Sequence, residues 1–259
     1  MRAVYRARVI PTPTISEQRI LLGATAPARL QRFRRAVGGG DRAAVELYLL
    51  DARIASHLHA TVRLVETALR EHLHRAFADQ HGDRWFIAIR SSLDVEVRDQ
   101  IDKAMSTVGE RAPAGKVVAQ LMLGTWVSLL GRGGRTPDGS RAAYPSTLWE
   151  PTLSATFSES TRSDVHRLAM RLSWARNRIH HCEPVVFGFP QPGVAGQGRQ
   201  LRRSPRLIRE DARELTSRFN PRLGAWLASW NEADPYLAHP LADAALTLMA
   251  GDPRVSIER

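Results

Sequence analysis

The chain has 259 residues, of which 43% are hydrophobic and 24% charged, a composition that fits a folded globular protein and excludes a disordered polymer. That length can bury a sizeable core as one large domain or two small ones. A formal net charge of +11, carried almost wholly by arginine because only Lys103 and Lys116 are lysines, favours phosphate backbones and anionic surfaces as partners.

The N-terminal stretch "MRAVYRARVIPTPTISEQ" is basic, yet no apolar run or small-residue cleavage site follows, so a cytoplasmic protein is expected. "ATAPARLQRFRRAV" reads as a helix with Thr25 as N-cap and Pro27 in its first turn. From Asp41 to about Asp79 the chain carries a long helical pattern with at most one break. Ile54, Leu58, Val62, Val65, Leu69, Leu73 and Ala76 form its apolar stripe, and Gly82 stops it. Val97, Ile101, Ala104 and Val108 mark the next helix, which ends before Pro113. Val117, Val118, Leu121, Met122 and Leu129 mark another, closed by "GRGGRTPDGS".

A short helix around "PSTLWEPTLSATF" follows, and Thr161 or Ser163 can cap the helix after it. That helix has the stripe Val165, Leu168, Leu172, Ala175 and Ile179, and must stop near Pro184. "GFPQPGVAGQGRQLRRSPR" reads as a flexible basic surface segment, and residues 206–218 and 222–231 offer two further helices. Long alternating runs are missing, so little or no sheet is expected and the fold class is all-α. No internal repeat or composition shift compels a boundary. The working division is 1–190, a helical domain, and 191–259, a basic segment and terminal helices packing on it.

The apolar runs stop short of the roughly 18 to 20 residues that a membrane span needs, so no membrane partner is expected. Cys182 is the only cysteine and cannot form an internal disulfide. The "HLH" pairs at 57–59 and 72–74 point to opposite sides of a helix, so neither a metal site nor a cofactor is expected.

The stretch with the most chemistry is "RNRIHHCEPVVFG", residues 176–188, where a helix should be ending. On a regular helix Asn177 shares a face with His181, and Arg176 with His180. Arg176 and His181 are five residues apart, and a long guanidinium in a tightening last turn can still reach the same phosphate. An imidazole can take a proton from a 2′-hydroxyl or give one to a leaving 5′-oxygen, while a guanidinium holds the phosphate. A plainer reading stands beside this: basic side chains in a last helical turn are ordinary partners of the helix dipole. Catalysis by the Cys182 thiol is disfavoured, because adjacent residues do not face each other.

This segment resembles the "RN-R-I-A-H-H-E-P" signature of the Abi-like abortive-infection group of the HEPN superfamily. Arg176, Asn177, Arg178, Ile179 and Pro184 fall on the pattern, and His181 matches the first histidine of its pair. His180 stands where the group usually has alanine, and Cys182 where it has the second histidine. "VETALREHLHRAF" with "GDRWF" is similar to the group's "E-x-A-L-R-N" helix and tryptophan. "QLMLGTWVSLL" resembles its "L-x-F-G-x-W-x-x-L" helix, and "STLWEPTLSATF" the segment after it. The likeness covers roughly residues 20 to 190.

The resemblance implies a HEPN-like helical bundle and a homodimer in which arginine–histidine helices meet across a two-fold axis. It implies metal-independent endoribonuclease activity that leaves a 2′,3′-cyclic phosphate and a 5′-hydroxyl, in phage defence or as a toxin. The other expectations are a non-catalytic HEPN dimer that binds RNA or protein, and a subunit regulated by an antitoxin-like partner. Arg176, His181, Asn177 and Glu66 are the candidate catalytic residues. Arg178, His180, Arg70, Arg202 and Arg203 are the further candidates for holding RNA. Glu66 lies at the edge of an apolar stripe, where it either pairs with Arg70 or orients Arg176 or His181. Trp126 is expected in the core. The charge of Arg199, Arg202, Arg203, Arg206 and Arg209 can guide RNA, although a solvated loop is the plainer role.

Overall fold

The protein is described from a computed structural model, which covers residues 12–259 apart from Glu110, Gln197 and Asn231. Residues 1–11 of the basic N-terminal stretch lie outside the described residues. Helix makes up 69% of the described residues and strand 7%, so the fold is mainly α, with a small sheet added to the expected helices.

In chain order the helices are α1 (Ile15–Ala24), α2 (Pro27–Ala36), α3 (Asp41–His81), α4 (Trp85–Ala88), α5 (Val95–Val108), α6 (Ala114–Gln120), α7 (Leu123–Leu129) and α8 (Arg162–His180). A wide-turned helix, Pro145–Leu153, stands between α7 and α8. Strands β1 (Phe189–Gly196) and β2 (Arg199–Arg203) lead into α9 (Pro205–Phe219), α10 (Pro221–Ser229), α11 (Asp234–Leu237) and α12 (Pro240–Ala250), and β3 (Val255–Glu258) closes the series.

The chain's contacts group into two compact units assembled from separated stretches, and residues 174–210 stay together across position 190. The first unit comprises residues 1–61, 174–210 and 230–259. Its core is built on Leu30 and Phe33 of α2, on Leu50, Ile54 and Leu58 of α3, and on Val185, Val186 and Phe187 after α8. Phe33 packs edge-on against Phe187 with centroids 5.1 Å apart. The sheet belongs to this unit: β1 pairs antiparallel with β2, and β2 pairs parallel with β3. Gly188 enters it at φ +78, where an added Cβ would lie 3.1 Å from the Arg203 carbonyl oxygen. Thr25 does not cap α2; it closes α1, and α2 starts after Ala26 without a side-chain cap.

The second unit comprises residues 62–173 and 211–229. Its centre is aromatic: Trp85 stacks on Phe77 at 4.7 Å and lies 5.9 Å from Trp126, and all three are buried, as expected for Trp126. The Trp85 indole N–H donates to His74 Nδ1 at 3.0 Å. Asp94 caps α5 by accepting from the Val97 N–H at 2.9 Å and also accepts from the Gly134 N–H at 2.7 Å. The helix expected over Val117–Leu129 is divided into α6 and α7, because Leu121 and Met122 are extended. Helix α3 holds no glycine or proline within its 41 residues and is unbroken. It ends at Gly82, whose φ of +80 is left-handed backbone that glycine adopts without strain.

Candidate functional site: the end of α8 and the turn after it

Helix α8 starts where expected, with the Thr161 hydroxyl accepting from the Asp164 N–H at 3.2 Å. Its stripe is buried at Val165, Leu168, Leu172 and Ala175. The far end closes in a Schellman motif. The Cys182 N–H donates to the Ile179 carbonyl at 3.0 Å, and the Glu183 N–H donates to the Arg178 carbonyl at 3.0 Å. Cys182 takes the left-handed position, with φ 52, that glycine usually occupies in this motif. Pro184 then prevents the helix from continuing.

Three groups of the first unit tie this turn down. The Arg178 guanidinium donates to the Pro184 carbonyl at 2.8 Å and pairs with Glu183. Arg29 of α2 donates to the Cys182 carbonyl. One carboxylate oxygen of Asp51 accepts from both the Val185 and the Val186 N–H groups at 2.7 Å. Burial pushes the Asp51 carboxyl up to about 6, against the opposing pull of the two backbone bonds and of the Arg178 and Arg29 charges. Burial likewise lowers the pKa of Arg178, with Glu183 acting in the other direction.

On this scaffold the candidate residues separate into two kinds. Asn177 and His180 in the last turn of α8 and His181 at its cap are exposed, and Arg176 just before that turn is half-buried. The His181 N–H donates to the Asn177 carbonyl at 3.0 Å, so the helical register that puts both residues on one side persists to the cap. The His180 ring meets His59 of α3 edge-on with centroids 5.0 Å apart. The end of α8 thus presents two exposed imidazoles and a carboxamide, with the half-buried Arg176 guanidinium a little further in.

The remaining candidates are engaged by other groups of the protein. Arg178 holds the turn. Arg202 is only 3% exposed: it donates to the Phe187 carbonyl at 2.9 Å and the Gly188 carbonyl at 2.7 Å, which locks β2 against the chain leaving the turn. Burial, with the nearby Arg178 and Arg32 charges, lowers its pKa to about 9. Arg203, 9% exposed, pairs with Glu258 of β3. The segment expected to be a flexible basic loop is therefore largely sheet, and burial removes Arg202 and Arg203 from the surface where they were expected to meet RNA. In the second unit Glu66 and Arg70 form an ion pair at 3.2 Å, with side chains 13% and 19% exposed.

The arginines that reading by motif missed lie on α2. Arg29, Arg32 and Arg35 recur every three residues in a helix without a single acidic residue, a spacing visible in "ARLQRFRRA". Comparisons with protein-family models, with curated proteins and with solved structures find no match to this chain. Among the described residues no cluster of three histidine, cysteine or carboxylate side chains is placed to hold a metal ion. No helix among them is long and apolar enough to cross a membrane.

Proposed function

We propose that the protein is a metal-independent endoribonuclease of the HEPN kind, acting in phage defence or as a toxin through the end of α8. The observation that carries this reading is the exposed His181 imidazole, placed on the helix cap four residues after Asn177 and five after Arg176 and held there by a turn that Arg178, Arg29 and Asp51 brace. In the proposed step an imidazole takes the proton from a ribose 2′-hydroxyl as its oxygen attacks the adjacent phosphorus. A second imidazole protonates the leaving 5′-oxygen, so the products are a 2′,3′-cyclic phosphate and a 5′-hydroxyl. Arg176 holds the phosphate and stabilises its developing charge, and Asn177 donates to the same group. Because one histidine serves poorly as both base and acid for one phosphate, the reading includes a homodimer in which the two His181 side chains share a two-fold cleft.

The test is incubation of the purified protein with RNA in excess EDTA. Cyclic-phosphate ends are expected, together with a loss of roughly 10²–10⁴-fold in rate for folded Arg176→Ala and His181→Ala variants. Replacing the ribose with 2′-deoxyribose at the cut site should abolish cleavage. If both variants cut at the parent's rate, the site is wrong. A second reading rests on the engagement of Arg178 with Glu183 and Pro184, which takes one guanidinium out of the exposed set. On that reading the chain is a non-catalytic HEPN dimer that binds RNA or a protein partner such as an antitoxin, and it would shift RNA without producing cyclic-phosphate ends.

A further inference from the structure

Helix α2 carries four arginines and no acidic residue. Leu30 and Phe33 anchor it in the core of the first unit. Arg34 is committed to Asp41 at 2.6 Å. The other three, Arg29, Arg32 and Arg35, fall within about 120° of the helix circumference and span about 9 Å of its axis.

The row has two defined ends. Arg29 donates to the Cys182 carbonyl at the cap of α8 and is itself exposed. Arg32 and Arg35 line a groove of about 1010 Å³ between α2 and α12, floored by Ala244, Leu248 and Pro253 and flanked by Arg254. Arg32 is held rigidly, its guanidinium 4.8 Å over the Phe187 ring and its Nη2 3.2 Å from the Met249 sulfur. Among the described residues no carboxylate bonds to Arg29, Arg32 or Arg35. Two carboxylates, Asp243 and Asp252, also line the groove against the three arginines Arg32, Arg35 and Arg254, and Asp252 is already engaged by the Arg254 guanidinium at 3.0 Å and 3.1 Å.

We propose that Arg29, Arg32 and Arg35 form a phosphate track that carries the backbone of an RNA strand from the groove between α2 and α12 to the turn after α8. This rests on the ribonuclease reading of that turn and adds where the substrate lies beyond the cut. The 9 Å span covers between two and three steps at roughly 3.4 Å rise per nucleotide of a stacked strand, so the three guanidiniums can meet about three successive phosphates. Arginine forks donate to phosphate oxygens in pairs, and two of the three are braced by protein contacts before RNA arrives. An acidic polypeptide would also meet positive charge here, but a regular row of guanidiniums ending at a phosphodiester-cutting turn favours the nucleic acid.

The experiment is binding, measured separately from cleavage. A fluorescent RNA with 2′-O-methyl riboses, which lacks the attacking hydroxyl, is titrated with the full-length protein over a series of salt concentrations. The Arg35→Gln variant, altered at an exposed side chain, should bind about three-fold more weakly, as expected for loss of one phosphate contact. The Arg29→Gln/Arg32→Gln/Arg35→Gln variant should lose roughly thirty-fold, with the slope of log affinity on log salt falling by about 2, at about 0.7 per phosphate. Arg222→Gln, an exposed change in the second unit, should match the parent. If the parent binds and the track variants bind as tightly, the track is wrong and the ribonuclease reading stands. If polyglutamate competes as well as RNA of equal charge, the track belongs to an acidic protein and the proposal fails. A parent that binds no RNA at low salt overturns both readings.

Discussion

The Asp51 carboxylate on α3 accepts the backbone N–H of Val185 at 2.7 Å, so the long helix holds the chain directly after the α8 turn. The same oxygen accepts from Val186, and Asp51 is only 8% exposed. A carboxylate in that position has to choose between its charge and its burial. Burial raises its pKa to about 6, so the protonated form is favoured more by the fold than by the unfolded chain. The contribution of Asp51 to stability is therefore complete below its unfolded pKa near 4 and is lost as pH rises through about 6. At about 1.36 kcal/mol per pH unit the loss is on the order of 3 kcal/mol. Asp51→Asn keeps an oxygen for the two N–H groups and removes the charge. Denaturant unfolding at a series of pH values should show the variant gaining on the parent between pH 4 and 7. A constant gap across that range would mean that Asp51 does not titrate there.

Cys182 supports a second prediction. It occupies the left-handed position of the α8 cap with φ 52, and its side chain is exposed. A Cβ in that conformation costs roughly 1 kcal/mol, and glycine avoids it at the expense of some extra unfolded-chain entropy. Cys182→Gly should therefore stabilise the protein by about 0.5–1 kcal/mol, seen as a higher denaturation midpoint at unchanged slope. Cleavage should be unaffected, because on the proposed mechanism the thiol touches no reacting atom. A slower variant would give the sulfur a part in the reaction.

The stripes of α3 and α8 were legible in the sequence, whereas α12, which buries Ala242, Ala245, Leu246 and Met249, was not read. Ile54, Leu58, Val62, Val65, Leu69 and Leu73 are each no more than 1% exposed, and the α8 stripe is buried as far as Ala175. The stop at Gly82 and the end of α8 before Pro184 followed from backbone chemistry alone. What the pattern hid was the sheet. In "RQLRR" the two residues that β2 buries are Arg202 and Arg203, whose charges are accommodated by two carbonyls and by Glu258, 55 residues further on. Such distant partners leave no local signature, so those arginines looked like surface. The division between α6 and α7 was missed because Leu121 is buried in an extended conformation, where it continues the apolar series without continuing the helix. At the candidate site the residue types and their helical spacing were readable. The braces at Asp51 and Arg29 were not, because both reach the turn from distant parts of the chain.

Glu66 and Arg70 allow a test that separates a packing role from a catalytic one. Their ion pair at 3.2 Å lies at the edge of the apolar face, and Glu66 borders a crevice shared with Val62, Leu69, Leu123, Leu172 and Leu215. Removing one member of a partly buried pair leaves the other charge poorly solvated. Glu66→Ala should cost about 2–3 kcal/mol, below the 3–5 typical of a fully buried pair because both side chains keep some exposure. Arg70→Met should cost a similar amount. The double variant Glu66→Ala/Arg70→Met leaves neither charge behind and should cost about 3–4 kcal/mol, less than the sum of the two singles, so the cycle should return a coupling on the order of 1–2 kcal/mol. Glu66→Gln, which keeps a hydrogen-bond acceptor, should cost about 1 kcal/mol. If the pair only packs, cleavage by Glu66→Gln will equal the parent's below its melting transition. A folded Glu66→Gln protein that has lost its rate by more than about a hundred-fold would instead place the carboxylate in the chemistry, because loss of a general acid or base produces an effect of that size.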